Sequence, residues 1–108
     1  QSGGSGLDRG LKMLKEPAMM QLCKDCVSMH DQLKKMGIPA EAVVIEQDRR
    51  DDLIKLMGAL TVMADGGPRY LRILGQKDRQ LAMQGMVNNR FAAICRKVLS
   101  DMKQGKLG

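Results

Sequence analysis

The last quarter of the chain, residues 78–103, carries an apolar stripe that constrains the fold more than any other feature. The stripe residues recur at gaps of three and four positions, and they are Met83, Met86, Val87, Phe91, Ile94, Cys95, Val98, Leu99 and Met102. This spacing places them on one face of a helix. Asn88 and Asn89 interrupt the stripe, and asparagine often caps a new helix by accepting a backbone N–H. The stretch therefore predicts one core-facing helix or a pair of them.

Two other stretches have the same helical spacing. Residues 18–36 form an apolar stripe of about five turns. Pro17 suits the first position of that helix, and Gly37 suits its end. A third helix is predicted to run to about residue 64, with Asp48 as its cap and Asp51 and Asp52 in its first turn.

The connections between these helices are short and carry their own signals. Residues 65–68, with the sequence DGGP, are the strongest break in the chain. Pro68 is then expected to open a short helix that ends at Gly75. Residues 42–45 are apolar throughout and are predicted to form a short buried helix. A β-strand is the alternative there, because periodicity does not separate the two in so short a run.

These elements predict an all-α fold: a compact bundle of four to five antiparallel helices with short loops. We assign one domain to residues 7–104, in which residues 7–16 form a frayed helical turn or an arm. Residues 1–6, QSGGSG, have the composition of a flexible linker. Residues 105–108 are expected to fray.

The charge is the first indication of a partner. Eighteen Lys and Arg residues against twelve acids give a net charge of +6, which favours an anionic partner such as nucleic acid or an acidic peptide. The alternative is an ordinary solvated surface. With one Phe, one Tyr and no Trp, the chain lacks the aromatic residues on which single-stranded bases stack. The candidate basic face consists of Arg69, Arg72, Lys77, Arg79, Arg96 and Lys97.

The cysteines form the second candidate constellation. Cys23, Cys26 and His30 share a helix face, and Cys95 could approach them, so the four side chains could hold zinc. The alternative, which we favour, is that the thiols are small apolar core residues. The CxxC lacks the preceding strand of a catalytic redox motif. An odd number of cysteines without a signal peptide or a long apolar span indicates an intracellular, reducing compartment and no membrane.

No catalytic set is apparent in the sequence. His30 is the single histidine, and the adjacent acids Asp51 and Asp52 diverge on a helix. The GGP turn lacks the spacing of a phosphate-binding loop. We therefore expect a protein that is not an enzyme and has no cofactor.

Residues 53–103 resemble the TFIIS N-terminal domain family, which includes the integrase-binding domains. The family's third helix has leucines three apart before a Val-Thr pair. Its last helix has an apolar residue, a small residue four positions later, two apolar residues and then an aromatic residue followed by Lys. The matching positions here are Leu53, Leu56, Leu60, Thr61, Val62, Phe91, Cys95, Val98, Leu99, Met102 and Lys103. Residues 29–38, MHDQLKKMGI, are similar to the end of the first helix and its loop in the integrase-binding domain. Met102 stands where many members have Trp, and Pro39 stands near a loop acid of the integrase-binding domain.

The resemblance implies a non-enzymatic scaffold of transcription elongation in the nucleus. Such domains capture short disordered motifs of other proteins, often acidic with an aromatic anchor, in a pocket between inter-helix loops. Carried over by position, the pocket would include Ile38 from the first loop and Asn88, Arg90 and Phe91 from the last. As an alternative function we consider a basic helical domain that binds nucleic acid or assists a polymerase. The piece LCKDCVSMHDQL is similar to the small helical cofactor of coronavirus-type polymerases.

Overall fold

A computed structural model of the chain describes residues 4–62 and 75–105. In these residues there are five α-helices and a two-stranded sheet, which confirms the predicted all-α bundle. The elements in order are α1 (Gly4–Leu14), α2 (Pro17–Lys35), β1 (Ala42–Val44), α3 (Arg50–Val62), α4 (Gln76–Met83), β2 (Met86–Asn88) and α5 (Asn89–Lys103). A 3₁₀ turn at Gln47–Arg49 leads into α3. The predicted break at residues 65–68 and the short helix after Pro68 lie outside the described residues.

The N-terminal segment is more regular than the sequence predicts. Helix α1 begins at Gly4, within the six residues that we expected to be a linker, and it includes the residues that we expected to be a frayed turn. It packs mainly on α3, and Leu14 is only 1% exposed in the core. A glycine within a helix costs about 1 kcal/mol relative to alanine. Burial of Leu14 outweighs this cost at Gly10.

Helix α2 follows the prediction closely, and its C-terminal end sets the position of the next loop. Pro17 occupies the first turn. At the other end Gly37 has a φ of +75°, its N–H donates to the Lys34 carbonyl, and the Ile38 N–H donates to the Leu33 carbonyl, each at 3.0 Å. This pattern is a Schellman motif, in which a left-handed glycine reverses the chain and satisfies the last carbonyls of the helix. The motif turns the chain abruptly at Ile38.

The short helix predicted at residues 42–45 is wrong, and the alternative of a strand is correct. β1 pairs antiparallel with β2 in the register Ala42 with Asn88, Val43 with Val87 and Val44 with Met86. Val43 is 4% exposed and Val44 67% exposed, so burial alternates with the two-residue period of a strand. β-Branched side chains favour this conformation when a partner strand is available. The partner comes from more than forty positions along the chain, which local periodicity does not reveal.

That partner strand also divides the long C-terminal stripe, so the prediction of a pair of helices is the correct one. Helix α4 ends at Met83, Gly85 turns the chain with a φ of +80°, and Met86 and Val87 lie in β2 instead of a helix. The pairing extends beyond the strands, since the Ile45 N–H donates to the Gly85 carbonyl at 2.7 Å and the Asn89 N–H donates to the Glu41 carbonyl at 3.2 Å. Helix α5 then begins directly at the end of the sheet.

Gly85 is expected to be sensitive to substitution because of its backbone conformation. A left-handed conformation costs a residue with a Cβ about 1–2 kcal/mol, so Gly85→Ala should lower the free energy of unfolding by that amount. Gly58, inside α3, is the matched control, because a Cβ there would meet no atom within 4 Å. Gly58→Ala should raise the free energy of unfolding by about 0.5–1 kcal/mol. Urea denaturation of both variants tests this, and equal effects of the two substitutions would contradict it.

Helices α2 and α5 form the centre of the bundle and have the most extensive contact of any two elements. They run antiparallel, since the start of α5 lies beside the end of α2, and Met102 near the end of α5 lies beside Met20. The largest fully buried side chains include Phe91, Leu22, Leu53, Leu56, Leu60 and Ile94. Of the helices in the described part of the chain, none is long and apolar enough to cross a bilayer.

Candidate partner-binding site

The loop after α2 meets the start of α5 at an open pocket of about 510 Å³. We call it the loop pocket, and it is lined by Lys34, Gly37, Ile38, Pro39, Ala40, Glu41 and Asn89. It therefore combines the first inter-helix loop with the junction before the last helix, the two segments that the sequence analysis selected. The hydrogen bond from the Asn89 N–H to the Glu41 carbonyl holds the two segments together.

Ile38 is the predicted site residue that the structure places at the pocket surface. Its side chain is 44% exposed, and nearby Met36 is 70% exposed. Large apolar side chains gain about 1.5–3 kcal/mol when they are fully removed from water. The Schellman turn fixes this loop to the end of α2, so the apolar surface is presented by a defined backbone.

The structure corrects the prediction for Phe91. Its ring is 0% exposed and belongs to the hydrophobic core, so it does not contact a partner at the surface. In a strongly amphipathic helix a large aromatic side chain gains most by facing the core. Phe91 thus packs the first turn of α5 against the core. Asn89 is the residue of this junction that lines the pocket.

Asn88 is also a structural residue, as its predicted capping role indicates. Its side-chain oxygen accepts the Phe91 N–H at 2.9 Å, and its amide donates to the carboxylate of Asp78. Asp78 in turn accepts the Gly75 N–H at 2.8 Å. These bonds connect the first turns of α4 and α5. The apolar spacing gives no sign of this connection, because it does not show how two successive helices lie relative to each other.

The environment of Asp78 lowers the pKa of its carboxyl group. Burial by itself would raise the pKa, but the hydrogen bonds from Gly75 and Asn88 and the positive charges of Arg90 and Lys77 outweigh burial. Arg90 therefore acts on this carboxylate from the exposed surface of α5. Arg90 follows Asn89, a residue of the loop pocket lining, directly in the sequence.

Part of the predicted basic face is engaged in ion pairs with acidic residues of the bundle. On α5, Arg96 holds Asp31 of α2 in a bidentate pair with distances of 2.5 and 3.1 Å, and this pair lowers the pKa of Asp31. Lys97 lies 3.4 Å from the Asp101 carboxylate. Lys77 and Arg79 are exposed on α4, whereas Arg69 and Arg72 lie outside the described residues. Part of the positive charge is thus compensated within the bundle.

A second depression, of about 260 Å³, is a feature that the sequence analysis missed. It lies between α2 and the segment after β1, and its lining includes Leu22, Met29 and Ile45. Asp25 and Arg49 form an ion pair of 2.6 Å at this site. The hydrogen bond from Arg49, followed by one from Gln21, lowers the pKa of Asp25. The two charged residues are 24 positions apart, so local spacing carries no signal of their contact.

The four candidate zinc ligands all lie in the core. Cys23, Cys26 and Cys95 are at most 1% exposed and belong to the hydrophobic core. His30 is 1% exposed, and neither ring nitrogen has a hydrogen-bond partner among the described residues. Among these residues no three His, Cys, Asp or Glu side chains are grouped as a metal would require. The thiols pack as core residues, the alternative that we favoured from the sequence.

The chain combines a buried Phe91 and a half-buried Asn88 with an exposed apolar loop at positions 36–39. No protein-family model, curated protein or solved structure matches the chain.

Proposed function

We propose that this chain is a non-enzymatic protein-interaction module whose loop pocket captures short disordered peptide motifs. The observation that carries the proposal is the exposed apolar surface of Ile38 and Met36 beside a pocket of about 510 Å³. Ligand sites are concave, have predominantly apolar linings and contain a few polar groups. On the resemblance alone, we extend the proposal to a scaffold of transcription elongation in the nucleus.

The chemistry of the pocket favours a peptide with one apolar or aromatic anchor. An anchor that covers Ile38 and Pro39 would remove apolar surface from water on both partners. One buried anchor contributes about 1.5–3 kcal/mol, and further contacts along the loop add to it. A micromolar complex needs about 8 kcal/mol in all, so we expect affinities of this order.

The charges around the pocket favour acidic residues beside that anchor. Lys34 lines the pocket, Lys35 precedes the loop, and Arg90 follows Asn89 at the start of α5. The net charge of +6 attracts acidic peptides over longer distances. Such steering raises association rates more than affinity and weakens as salt rises. Glu41, in the lining, gives the pocket one negative group that a partner's N–H can meet.

The proposal predicts that Ile38 is required for binding and dispensable for folding. Peptides are selected from a displayed library of disordered sequences, and their affinities are then measured by fluorescence anisotropy. Ile38→Ser should weaken the selected peptides at least tenfold, or about 1.4 kcal/mol. Because Ile38 is at the surface, the free energy of unfolding should change by less than about 0.5 kcal/mol.

Val44→Ser is the matched control, since Val44 is another exposed apolar residue and lies on β1, outside the pocket lining. This variant should bind the peptides as the wild type does. Lys34→Glu should weaken acidic peptides in particular, and its effect should diminish at high salt. Equal binding by Ile38→Ser and wild type would move the peptide site away from the loop pocket.

Nucleic acid is the alternative partner, and the same samples test it. The ion pairs of Arg96 and Lys97 with acidic residues argue against a phosphate-binding face on α5. A domain that binds phosphates loses affinity steeply as salt rises. Retardation of RNA or DNA at low salt by both wild type and Ile38→Ser would favour this alternative over peptide capture.

A further inference from the structure

Strand β1 has two edges, and in the described part of the chain only one of them is paired, with β2. Hydrogen-bonded and non-hydrogen-bonded pairs alternate along an antiparallel ladder. The main-chain bonds at Glu41 and Ile45 are directed towards β2, so those of Val43, midway between them, are as well. The N–H and C=O groups of Ala42 and Val44 therefore point away from β2. We call these four main-chain groups the β1 edge.

The β1 edge is exposed to solvent. Val44 is 67% exposed, Ala42 is half-buried, and no hydrogen bond from another described residue reaches their main-chain groups. On β2 the residues whose main-chain groups point away from β1 are Met86 and Asn88, and both are half-buried. Unpaired N–H and C=O groups of an edge strand form a template for a further strand. The edge of β1 is thus the more accessible of the two.

The loop pocket leads directly into this edge. Four residues of its lining, positions 38–41, immediately precede β1 in the chain. The hydrogen bond from the Asn89 N–H to the Glu41 carbonyl joins the pocket to the end of the ladder. A peptide that is anchored in the pocket therefore has the β1 edge beside it.

We propose that the peptide captured by the loop pocket continues along β1 as a third strand of the sheet. This inference rests on the proposed function and adds the conformation of the partner, which is extended where it leaves the pocket. In an antiparallel arrangement, the peptide residues opposite Ala42 and Val44 each exchange two hydrogen bonds with them, and the residue between makes none. Strand addition of this kind supplies affinity through main-chain bonds, and pockets for side chains supply specificity.

The length of β1 explains why the pocket and the edge act together. A strand of three residues offers few hydrogen bonds, and very short edge strands are a means by which proteins avoid indiscriminate pairing. The exposed carboxylates of Glu41 and Glu46 flank the strand and have the same effect. A partner therefore needs the apolar anchor in the loop pocket before the β1 edge adds to its affinity.

Charge favours an acidic peptide over a second copy of this chain as the added strand. Each copy carries a net charge of +6, so two copies repel each other as they approach. Lys34 lines the loop pocket, and Lys35 is exposed at the end of α2. An acidic segment is attracted by the same charges that oppose self-association.

The first experiment removes one donor of the β1 edge. Val44→Pro lacks the N–H that points away from β2, and proline is tolerated in an edge strand at such a position. The tightest peptide from the displayed library, made synthetically, should bind this variant at least tenfold more weakly than wild type. Val44→Ser keeps both main-chain groups and is the matched control, which should bind as wild type does.

The second experiment changes the peptide and leaves the protein intact. Synthetic copies of that peptide carry one N-methylated amide each, which removes one main-chain donor at a time. Binding to wild type should fall at least tenfold at two positions that are two residues apart, and less than threefold at the position between them. This alternation is the signature of a paired strand.

The third experiment measures amide hydrogen exchange by NMR in the free and the peptide-bound wild type. The Val44 N–H should exchange at least tenfold more slowly in the complex. The Val43 N–H, which is directed towards β2 in both states, is the internal reference. Because this measurement needs no variant, it decides the matter even where Val44→Pro does not fold.

The outcomes separate this proposal from the peptide site on which it rests. Loss of binding by Ile38→Ser, without alternation in the N-methyl series and without protection of the Val44 N–H, would retain the loop pocket and overturn the added strand. Loss by Val44→Pro with unchanged binding by Ile38→Ser would do the reverse. A free chain that sediments as a dimer with its Val44 N–H protected would assign the edge to a second copy and overturn the proposal. A library without any binding peptide would overturn both.

Discussion

Phe91→Ala is expected to lower the free energy of unfolding by about 3–5 kcal/mol. The ring is 0% exposed and is the largest fully buried side chain of the described core. Truncation removes its transfer free energy and leaves a cavity beneath the start of α5, where the surrounding helices relax only in part. Urea denaturation followed by circular dichroism at 222 nm, the usual wavelength for helix content, measures the loss.

Phe91→Leu is the matched control for this prediction. Leucine keeps most of the apolar volume, so its cost should be under about 1.5 kcal/mol. Peptide binding by Phe91→Leu should remain close to wild type, because the ring does not line the loop pocket. Strong loss of binding by Phe91→Leu with unchanged stability would show that the ring contacts the partner after all.

Asn88→Ala is expected to lower the free energy of unfolding by about 2–3 kcal/mol. Loss of an N-cap side chain costs typically about 1 kcal/mol, and the loss of a partner for the buried Asp78 carboxylate adds about 1–2 kcal/mol. Asn89→Ala is the control, because Asn89 is the adjacent asparagine and its side chain is exposed. Equal effects of the two variants, measured by urea denaturation, would refute the proposed cap and network.

The same network makes a prediction about pH. The folded pKa of Asp78 lies below its ordinary value of 3.8, so the carboxylate stabilises the fold fully above the unfolded pKa, and this contribution is lost as the pH falls through the folded pKa. Between about pH 5 and pH 2.5, wild type should therefore lose more stability than Asp78→Asn, which does not titrate. If the free energies of unfolding of the two proteins fell equally over this pH range, Asp78 would not be the group that causes the acid destabilisation. Asp25 and Asp31 also have lowered pKa values. Both proteins keep these residues, so their contributions to the pH dependence are the same and drop out of the difference.

The candidate site shows which features of a site the local sequence pattern predicts and which it does not. Asn88 was predicted to cap a helix, and it does, because a cap depends on residues only three positions away. Ile38 was assigned to a pocket by resemblance, and the structure places it in the lining of one. Phe91 came from the same resemblance but lies in the core, since apolar spacing identifies a helix face and not whether that face meets a partner or the protein itself.

The spacing of apolar residues in the chain determined the helices. A period of three to four residues, together with the helix start and stop signals of Pro17, Gly37 and Asn88, depends only on residues within one or two helical turns. Tertiary structure alone decided that residues 42–45 form a strand, since their partner is Met86–Asn88 and the pairing bonds form only when both segments meet. It also decided that the long C-terminal stripe breaks at Gly85. The loop pocket follows from the same cause, because it joins residues about fifty positions apart, whose approach depends on how the finished helices pack.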